Sequence, residues 1–219
     1  MTDTKICGIK TSEALEAAIR GGARWIGLVL YEKSPRNMPL ATAAALADQA
    51  RGRAAIVVLV VDPTDERLAD IVRDVQPNFI QLHGHESLER VAEIRRTFGT
   101  RIIKAVGVHD ETDVRNALAY DKPGTIADLI LFDAKPPRGA ERPGGFGVAF
   151  NWQVLSAIPV GMPYFLAGGL TPDNVREAIR MTGAPAVDVS SGVETAPGEK
   201  SPELIVGFLQ AVKTAMETL

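Results

Sequence analysis

The hydrophobic positions of this chain fall into short runs that alternate with longer segments of helical periodicity. Runs such as 56–61 and 129–132 are almost wholly apolar, which is typical of parallel strands covered on both faces. Eight such runs occur. The sequence predicts strands that begin near Thr4, Trp25, Ala55, Asn78, Arg101, Ala127, Pro163 and Ala186.

The segments between these runs carry helix signals. Ser201 offers a capping hydroxyl, Pro202 suits the first helical position, and Glu203 places an acid in the first turn. Thr171 and Pro172 predict a second start of the same kind. Apolar residues spaced three and four apart indicate the other helices. These stripes begin at Ala14, Leu68 and Leu88.

Eight strand–helix units without a break in composition predict one (β/α)₈ barrel, an α/β fold in which residues 1–219 form a single catalytic domain. The rival is an open, doubly wound sheet. Against it, the first strand–helix turn, residues 8–11, lacks the G-x-G-x-x-G fingerprint of dinucleotide-binding sheets. Residues 138–147 are the one stretch that the sequence predicts to be a mobile loop.

Composition narrows the classes of function. Apolar residues make up 46% of the chain and charged residues 23%, and the net charge of -3 gives no basic surface for nucleic acid. The longest apolar run, 54–61, is far short of the roughly 20 residues that span a bilayer, and the N-terminus lacks the layout of a signal peptide. A single cysteine fits a reducing compartment. We therefore expect a cytoplasmic protein, monomeric by default, with neither nucleic acid nor membrane as partner.

Reactive groups of such barrels lie where strands end and the following loops begin. Polar residues there are informative, because a strand buried on both faces gains nothing from a carboxylate. The strand ends carry Cys7, residues 34–36, residues 81–83, Asp133, residues 168–169 and residues 188–192.

A phosphate site is predicted after strands seven and eight. Gly168 and Gly169 end the first of these strands, and Ser190, Ser191 and Gly192 end the second. Backbone N–H groups exposed at glycines, together with a hydroxyl, form an anion cradle, and barrels of this class bind phosphate at this place. The alternative is that the glycines only turn tight corners.

Cys7 is a candidate proton acceptor at the mouth of strand one. Strand alternation puts Lys5, Cys7 and Ile9 on one face, so the thiol points inward. An ordinary thiol has a pKa of about 8.5, so it serves as a base only if the pocket supplies a positive field. The alternative is a small buried hydrophobe.

Asp133 is a candidate proton donor, because it follows an apolar strand and shares a face with Leu129 and Leu131. A carboxyl among apolar walls tends to have a raised pKa and to act as an acid. The alternative is a structural carboxylate paired with Lys135 or Arg36.

Arg36 lies in the loop after strand two, where a guanidinium is able to hold a carboxylate through a two-pronged contact. A solvated loop arginine is the alternative. His83 and His85 suggest metal ligands, but the only other histidine is His109, and no further ligand stands at a suitable spacing. No metal site is predicted.

Taken together and in order, these strand ends resemble those of the phosphoribosylanthranilate isomerases of tryptophan biosynthesis, over nearly the whole chain. The matching segments are 5–9 (KICGI), 34–36 (SPR), 81–84 (QLHG), 131–133 (LFD), 144–147 (GGFG), 166–170 (LAGGL), Pro172 with 174–175 (NV), and 187–194 (VDVSSGVE).

The resemblance implies an Amadori rearrangement of N-(5-phosphoribosyl)anthranilate, with Asp133 as general acid and Cys7 as general base. It implies that Arg36 holds the anthranilate carboxylate and that Asp188 lies in the sugar pocket, with His83 also in contact with substrate. The two glycine and serine loops would grip the phosphate. The family uses no metal or organic cofactor.

Two positions depart from the family pattern. Asn151 stands where the family usually has aspartate before a tryptophan, and asparagine caps a helix almost as well. Phe146 stands where the family usually has threonine, which affects loop closure or rate rather than the chemistry.

Two alternatives to this function remain. One is another aldose–ketose isomerase of phosphorylated sugars. The other is a non-catalytic barrel that senses a phosphorylated metabolite; it would keep the phosphate cradle but would not need both Cys7 and Asp133.

Overall fold

A computed structural model describes residues 2–135, 147 and 149–215. Eight parallel strands pair in chain order, and the last pairs with the first to close a barrel. The strands are β1 (Asp3–Cys7), β2 (Trp25–Val29), β3 (Ala55–Val60), β4 (Phe79–Leu82), β5 (Arg101–Val108), β6 (Leu129–Ala134), β7 (Tyr164–Leu166) and β8 (Ala186–Val189). The predicted barrel is confirmed, and the open sheet is excluded by the pairing of β8 with β1.

Helices cover the outside of the barrel. They are α1 (Ser12–Gly21), α2 (Leu40–Ala50), α3 (Asp65–Asp74), α4 (Leu88–Phe98), α5 (Glu111–Ala117), α6 (Val175–Thr182) and α7 (Pro202–Ala215). Side-chain oxygens of Thr11, Thr64 and Ser87 accept hydrogen bonds from the first turns of α1, α3 and α4. Gly22 and Gly99 follow α1 and α4 in the left-handed conformation that glycine adopts without strain.

The strand faces divide the apolar residues into two layers. Side chains that point inward, such as Val57, Ile103, Leu131 and Phe165, pack against each other inside the barrel. Side chains that point outward join the helices in the larger cluster. Ile9 belongs to this outer cluster, because β1 ends at Cys7 and the chain turns at the next residue. The expectation that Ile9 shares the inner face of Lys5 and Cys7 is therefore wrong.

Two helical segments differ from the predicted pattern, one in its first residue and one in its type. The helix expected to begin at Pro172 begins at Val175, because a hydrogen-bonded turn from Thr171 to Asn174 comes first. Between β6 and β7 a 3-10 helix, Trp152–Ala157, stands where the pattern would place an α-helix. The Asn151 side chain accepts a hydrogen bond at its start, as the capping argument requires.

A short hairpin after β8 was not predicted from the sequence. A 3-10 turn, Ser191–Val193, leads into β9 (Glu194–Ala196), which pairs antiparallel with β10 (Glu199–Lys200). Gly198 makes the connecting turn with a positive φ of 86°. The hairpin places Glu194 and Lys200 side by side at the carboxyl end of the barrel.

A buried ion pair holds the loop after β4. The Lys104 ammonium donates to Glu86 Oε2 at 2.7 Å and to the carbonyl oxygens of Leu82 and Gly84 at 3.4 and 2.8 Å. The Glu86 carboxylate also accepts from the backbone N–H of Asp62 and Gly84. These bonds fix the segment that follows β4 at the barrel mouth.

We predict that Lys104→Met lowers the free energy of unfolding by about 3–5 kcal/mol, because it leaves the Glu86 carboxylate buried without its counter-charge. Urea denaturation measures the loss. The matched Lys104→Met/Glu86→Gln double variant removes the stranded charge and is expected to recover part of the stability. A single variant as stable as the parent would show that the pair does not hold this loop.

Candidate active site

The predicted site residues gather at one end of the barrel. Cys7 ends β1, Asp133 lies next to last in β6, Asp188 lies in β8, and His83 follows β4 directly. Because all eight strands are parallel, their carboxyl ends share one rim. Asp188 interacts electrostatically with Cys7, Asp133 and His83, so its carboxylate lies within reach of both sides of the mouth.

Cys7 is 4% exposed and packs beside Val29 and Leu59 at the mouth. Its register partner on β2 is Gly27, where a Cβ atom would approach the Cys7 sulfur to 2.9 Å. A glycine is therefore required beside the thiol unless the sulfur moves. The sulfur points to the inner side of the barrel, as strand alternation predicts.

Lys5 and Asp188 form an ion pair inside the barrel. They are direct register partners across β1 and β8, and Lys5 Nζ lies 3.0 Å from Asp188 Oδ1. The Lys5 side chain is fully buried. Although burial lowers it, the Asp188 carboxylate and the Cys7 sulfur hold the pKa of Lys5 above its ordinary value. The ammonium group therefore stays charged.

Opposing charges act on the Cys7 thiol. Burial raises its pKa, and the Asp188 carboxylate adds to that effect, whereas the ammonium groups of Lys5 and Lys200 lower the pKa. The positive field that a thiolate base requires thus comes from two lysines, and it offsets only part of the cost of burial. The thiol pKa stays above its ordinary value.

Asp133 is 7% exposed and pairs with neither partner considered from the sequence. Lys135 and Arg36 bind other carboxylates. One Asp133 oxygen accepts from the backbone N–H of Ala134 at 2.8 Å, and the other lies 3.4 Å from His83 Nε2, without the alignment of a hydrogen bond. Among the described residues, Asp133 is therefore held by the neighbouring backbone and is not paired with a lysine or an arginine.

Two polar atoms of this region are buried without a hydrogen-bond partner in the described part of the chain. They are Gln81 Oε1 and His83 Nε2, while the other ends of the same side chains, Gln81 Nε2 and His83 Nδ1, lie 3.5 Å apart. Buried groups of this kind are rare, and they are candidates for contact with a ligand.

Arg36 is buried rather than solvated. Its Nε and Nη2 atoms each donate to one oxygen of Glu194, both at 2.8 Å. One edge of the guanidinium is thus occupied by a protein carboxylate, and any ligand carboxylate must use the edge formed by Nη1 and Nη2. The Arg36 side chain lies against Gly8, where a Cβ would approach Arg36 Cδ to 2.7 Å.

Lys200 binds the same Glu194 carboxylate as Arg36 does. Its ammonium donates to Glu194 at 2.5 Å and to the carbonyl and hydroxyl oxygens of Ser190 at 3.0 and 3.3 Å. The Ser190 hydroxyl in turn donates to the Cys7 carbonyl at 3.1 Å. Although burial raises it, the hydrogen bonds from Arg36 and Lys200 hold the pKa of Glu194 below its ordinary value.

The predicted phosphate loops lie against each other. Gly168 and Gly169 both have positive φ, at 81° and 64°, and a Cβ on Gly168 would lie 2.5 Å from the Ala134 backbone nitrogen. A Cβ on Gly192 would lie 1.9 Å from the Leu170 carbonyl oxygen. Gly168 and Gly192 are therefore required by close backbone packing, of the loop after β7 against the end of β6 and of the loop after β8 against the loop after β7. That packing brings the proposed cradle next to Asp133.

Three charged residues at the site received no role from the sequence. Lys5 was detectable, because it is a cation on the inner face of an otherwise apolar strand. For Glu194 and Lys200 the sequence offers only a weak signal, the Pro197 and Gly198 pair of a hairpin turn. The contact of Glu194 with Arg36 spans 158 positions.

Some predicted features lie outside the described residues, among them the position of Phe146 and most of the loop 138–147. In the described part of the chain, no three His, Cys, Asp or Glu side chains are grouped as a metal ion would need. Among the same residues, no helix combines the length and the apolar character needed to cross a membrane.

Because the Cys7 thiol is buried, we predict that it lowers the free energy of unfolding at alkaline pH. Because its pKa is higher in the folded state, the unfolded chain ionises first once the pH passes about 8.5. The stabilising effect is complete below that pH and is lost as the pH rises through the folded pKa. We expect Cys7→Ser, which does not ionise there, to lose less free energy of unfolding between about pH 7 and about pH 10. Urea titrations at both pH values test this, and parallel losses would contradict it.

The comparisons with known proteins identify the family of the chain. A family model described as N-(5'phosphoribosyl)anthranilate (PRA) isomerase matches residues 4–211. An N-(5'-phosphoribosyl)anthranilate isomerase of Rhodopseudomonas palustris strain BisB18 is 48% identical over 215 residues, which cover 98% of this chain and 97% of the relative. A relative of the same name from Brucella canis is 47% identical over 97% of this chain and 95% of its own length.

Solved structures show the same likeness. Phosphoribosyl anthranilate isomerase from Thermotoga maritima superposes with a TM-score of 0.85 at 35% identity, over 98% of this chain and all of that one. A phosphoribosyl anthranilate isomerase in complex with reduced 1-(o-carboxyphenylamino)-1-deoxyribulose 5-phosphate gives a TM-score of 0.81 at 32% identity, with the same coverage. The chain belongs to the N-(5'-phosphoribosyl)anthranilate isomerase family.

Proposed function

We propose that this isomerase of tryptophan biosynthesis uses Cys7 as general base and Asp133 as general acid. The reaction converts N-(5'-phosphoribosyl)anthranilate to 1-(2-carboxyphenylamino)-1-deoxyribulose 5-phosphate. The observation that carries the assignment is the placement of one thiol and one carboxyl on β1 and β6, at the same barrel mouth, with Asp188 in reach of both.

Asp133 acts first. It gives a proton to the ring oxygen of the ribose, the bond from that oxygen to C1 breaks, and the anthranilate nitrogen forms a Schiff base with C1. Asp133 suits this step because its side chain is buried at the end of the apolar strand β6 and pairs with no lysine or arginine in the described part of the chain. His83, 3.4 Å from Asp133, lies where it can contact the sugar hydroxyls.

Cys7 acts second. The iminium group at C1 acidifies the proton on C2, and the Cys7 thiolate accepts that proton. The electron pair of the C–H bond forms the C1–C2 double bond of an enolamine, while the π pair of the iminium group moves to nitrogen. The enolamine then takes up a proton at C1 and loses the proton of its C2 hydroxyl group, which gives the ketone. Electrons and atoms balance within the substrate, so the step needs no external oxidant or reductant. Each proton transfer contributes about 10² to 10⁴ in rate.

The remaining contacts orient the substrate. The free edge of Arg36 is assigned to the anthranilate carboxylate, and Asp188 and His83 are assigned to the sugar. Gly168, Gly169, Ser190, Ser191 and Gly192 are assigned to the phosphate, an assignment supported by their place after β7 and β8, where barrels of this class bind phosphate. Binding the phosphate away from the reacting carbons fixes the sugar for both proton transfers.

The proposal extends to the whole chain. Residues 1–219 act as one catalytic domain with a phosphorylated small molecule as partner. The protein works as a monomer in the cytoplasm, without nucleic acid and without a metal or organic cofactor. The single cysteine, which must stay reduced for the proposed chemistry, supports a reducing compartment.

A non-catalytic phosphosugar-binding barrel is the second candidate. It would explain the phosphate loops, but it gives no reason for the thiol at Cys7 to lie beside two ammonium groups at an energetic cost of burial. Growth of a strain blocked at this step without tryptophan, when it carries this chain, separates the two. A chain that folds and binds the product analogue but does not restore growth would favour the sensor.

We predict that Cys7→Ala and Asp133→Asn each lower kcat at least about 100-fold, because each removes one proton-transfer group. Both are expected to bind the reduced product analogue nearly as well as the parent, since neither carries the anion contacts. Steady-state kinetics and calorimetric titration measure the two quantities. Turnover close to that of the parent in either variant would refute the proposed pair.

We predict that Arg36→Ala weakens binding of the anthranilate-bearing product analogue by about 10-fold or more, while affinity for ribulose 5-phosphate changes less. The exposed Arg51→Ala is the matched control and leaves both affinities unchanged. Calorimetric titration with the two ligands gives the comparison. Equal losses for both ligands in Arg36→Ala would remove Arg36 from carboxylate recognition.

A further inference from the structure

Three buried lysines differ in how many acceptors their ammonium groups meet. Lys104 Nζ meets three acceptor oxygens within 3.4 Å, and Lys200 Nζ also meets three. Lys5 Nζ has one oxygen acceptor in the described part of the chain, the Asp188 carboxylate at 3.0 Å. An ammonium group carries three N–H donors, so Lys5, the most completely buried of the three, retains donors that oxygen atoms do not use.

The alternation of side chains along β1 determines which groups lie near the remaining N–H donors of Lys5. Side chains two residues apart on a strand share a face, so Lys5 and Cys7 both point into the barrel, with Cys7 nearer to the mouth. The charge of the Lys5 ammonium group acts on the Cys7 sulfur and favours its ionised form. Lys5 therefore pairs with Asp188 of β8 and shares the inner face of β1 with the sulfur.

We propose that Lys5 is a positioning residue for the isomerisation, whose ammonium group stabilises the Cys7 thiolate and aims it at the sugar. This inference rests on Cys7 being the base of the proposed function. Nothing is transferred to or from Lys5: the thiolate accepts the C2 proton and becomes a thiol, and Lys5 remains an ammonium paired with Asp188.

Other charged groups around the sulfur also favour or disfavour ionisation of the Cys7 thiol. Asp188 from β8 disfavours the thiolate, and Lys200 from β10 favours it but is saturated by Ser190 and Glu194. Asp133 and His83, from β6 and the loop after β4, act on Asp188. Of the two ammonium groups that favour the thiolate, Lys5 is the one whose N–H donors are not all taken up by oxygen acceptors in the described part of the chain.

The single cysteine of the chain makes the test direct. The ultraviolet absorbance of the thiolate is followed against pH in the folded protein, with Cys7→Ser as the blank. Lys5→Met is expected to raise the thiol pKa by about one unit or more, which is a 10-fold smaller thiolate fraction at neutral pH. Its kcat should fall by a similar factor with KM little changed, and the deficit should narrow as the pH rises.

Two further variants keep the test decisive if Lys5→Met does not fold. Asp188→Asn, of nearly the same shape, removes the opposing charge and is expected to lower the thiol pKa. Lys5→Met/Asp188→Asn leaves no stranded charge, and its thiol pKa is expected to be higher than that of Asp188→Asn, because these two variants differ only in the Lys5 ammonium group. The matched control is Lys104→Met/Glu86→Gln, which removes a buried ammonium elsewhere in the barrel and should leave the thiol pKa unchanged.

An unchanged or lowered thiol pKa in Lys5→Met relative to the parent, or in Lys5→Met/Asp188→Asn relative to Asp188→Asn, would overturn the role of Lys5. So would an equal rise in the control at Lys104 and Glu86, because the shift would then be a general effect of lost stability. A different result would contradict the proposed function. Full turnover in Cys7→Ala would show that Cys7 is not the base, whether or not Lys5 changes the pKa of the thiol.

Discussion

The site depends on the contact that closes the barrel. When β8 pairs with β1, Asp188 becomes the direct partner of Lys5, and a carboxylate and an ammonium group lie 3.0 Å apart where both are shielded from water. Neither charge is stable there alone, since a lone buried ion costs several kcal/mol. A slip of the closing register by one residue would turn one of the two side chains to the opposite face of its strand. The register in which β8 pairs with β1 therefore both closes the barrel and brings Lys5 and Asp188 together at the site.

A second group of charges ties the loops of the mouth together. Arg36, from the loop after β2, shares the Glu194 carboxylate with Lys200, and Lys200 reaches back to Ser190 beside β1. The hairpin β9–β10 forms no part of the barrel sheet, and it supplies both Glu194 and Lys200 to these contacts. Buried charges bound in this way lose little entropy when a ligand arrives, which favours preorganised recognition of an anion.

The sequence predicts the barrel and the candidate thiol and carboxyl because both follow from local rules. Strand periodicity determines which face Cys7 and Asp133 take, and parallel strands bring their ends together. The partners of these residues do not follow from local rules. Arg36 and Glu194 lie 158 positions apart, and the pairing of Lys5 with Asp188 depends on the register of closure. The late start of α6 depends on a side-chain turn at Asn174 that competes with helix geometry.

A crystal structure of this protein with the reduced product analogue tests the central claim most directly. The account predicts the Cys7 sulfur within about 3.5 Å of sugar C2 and an Asp133 oxygen at a similar distance from the oxygen that leaves the ring. It also predicts the phosphate between the loops after β7 and β8. A sulfur turned away from the sugar, or a phosphate bound elsewhere, would contradict it.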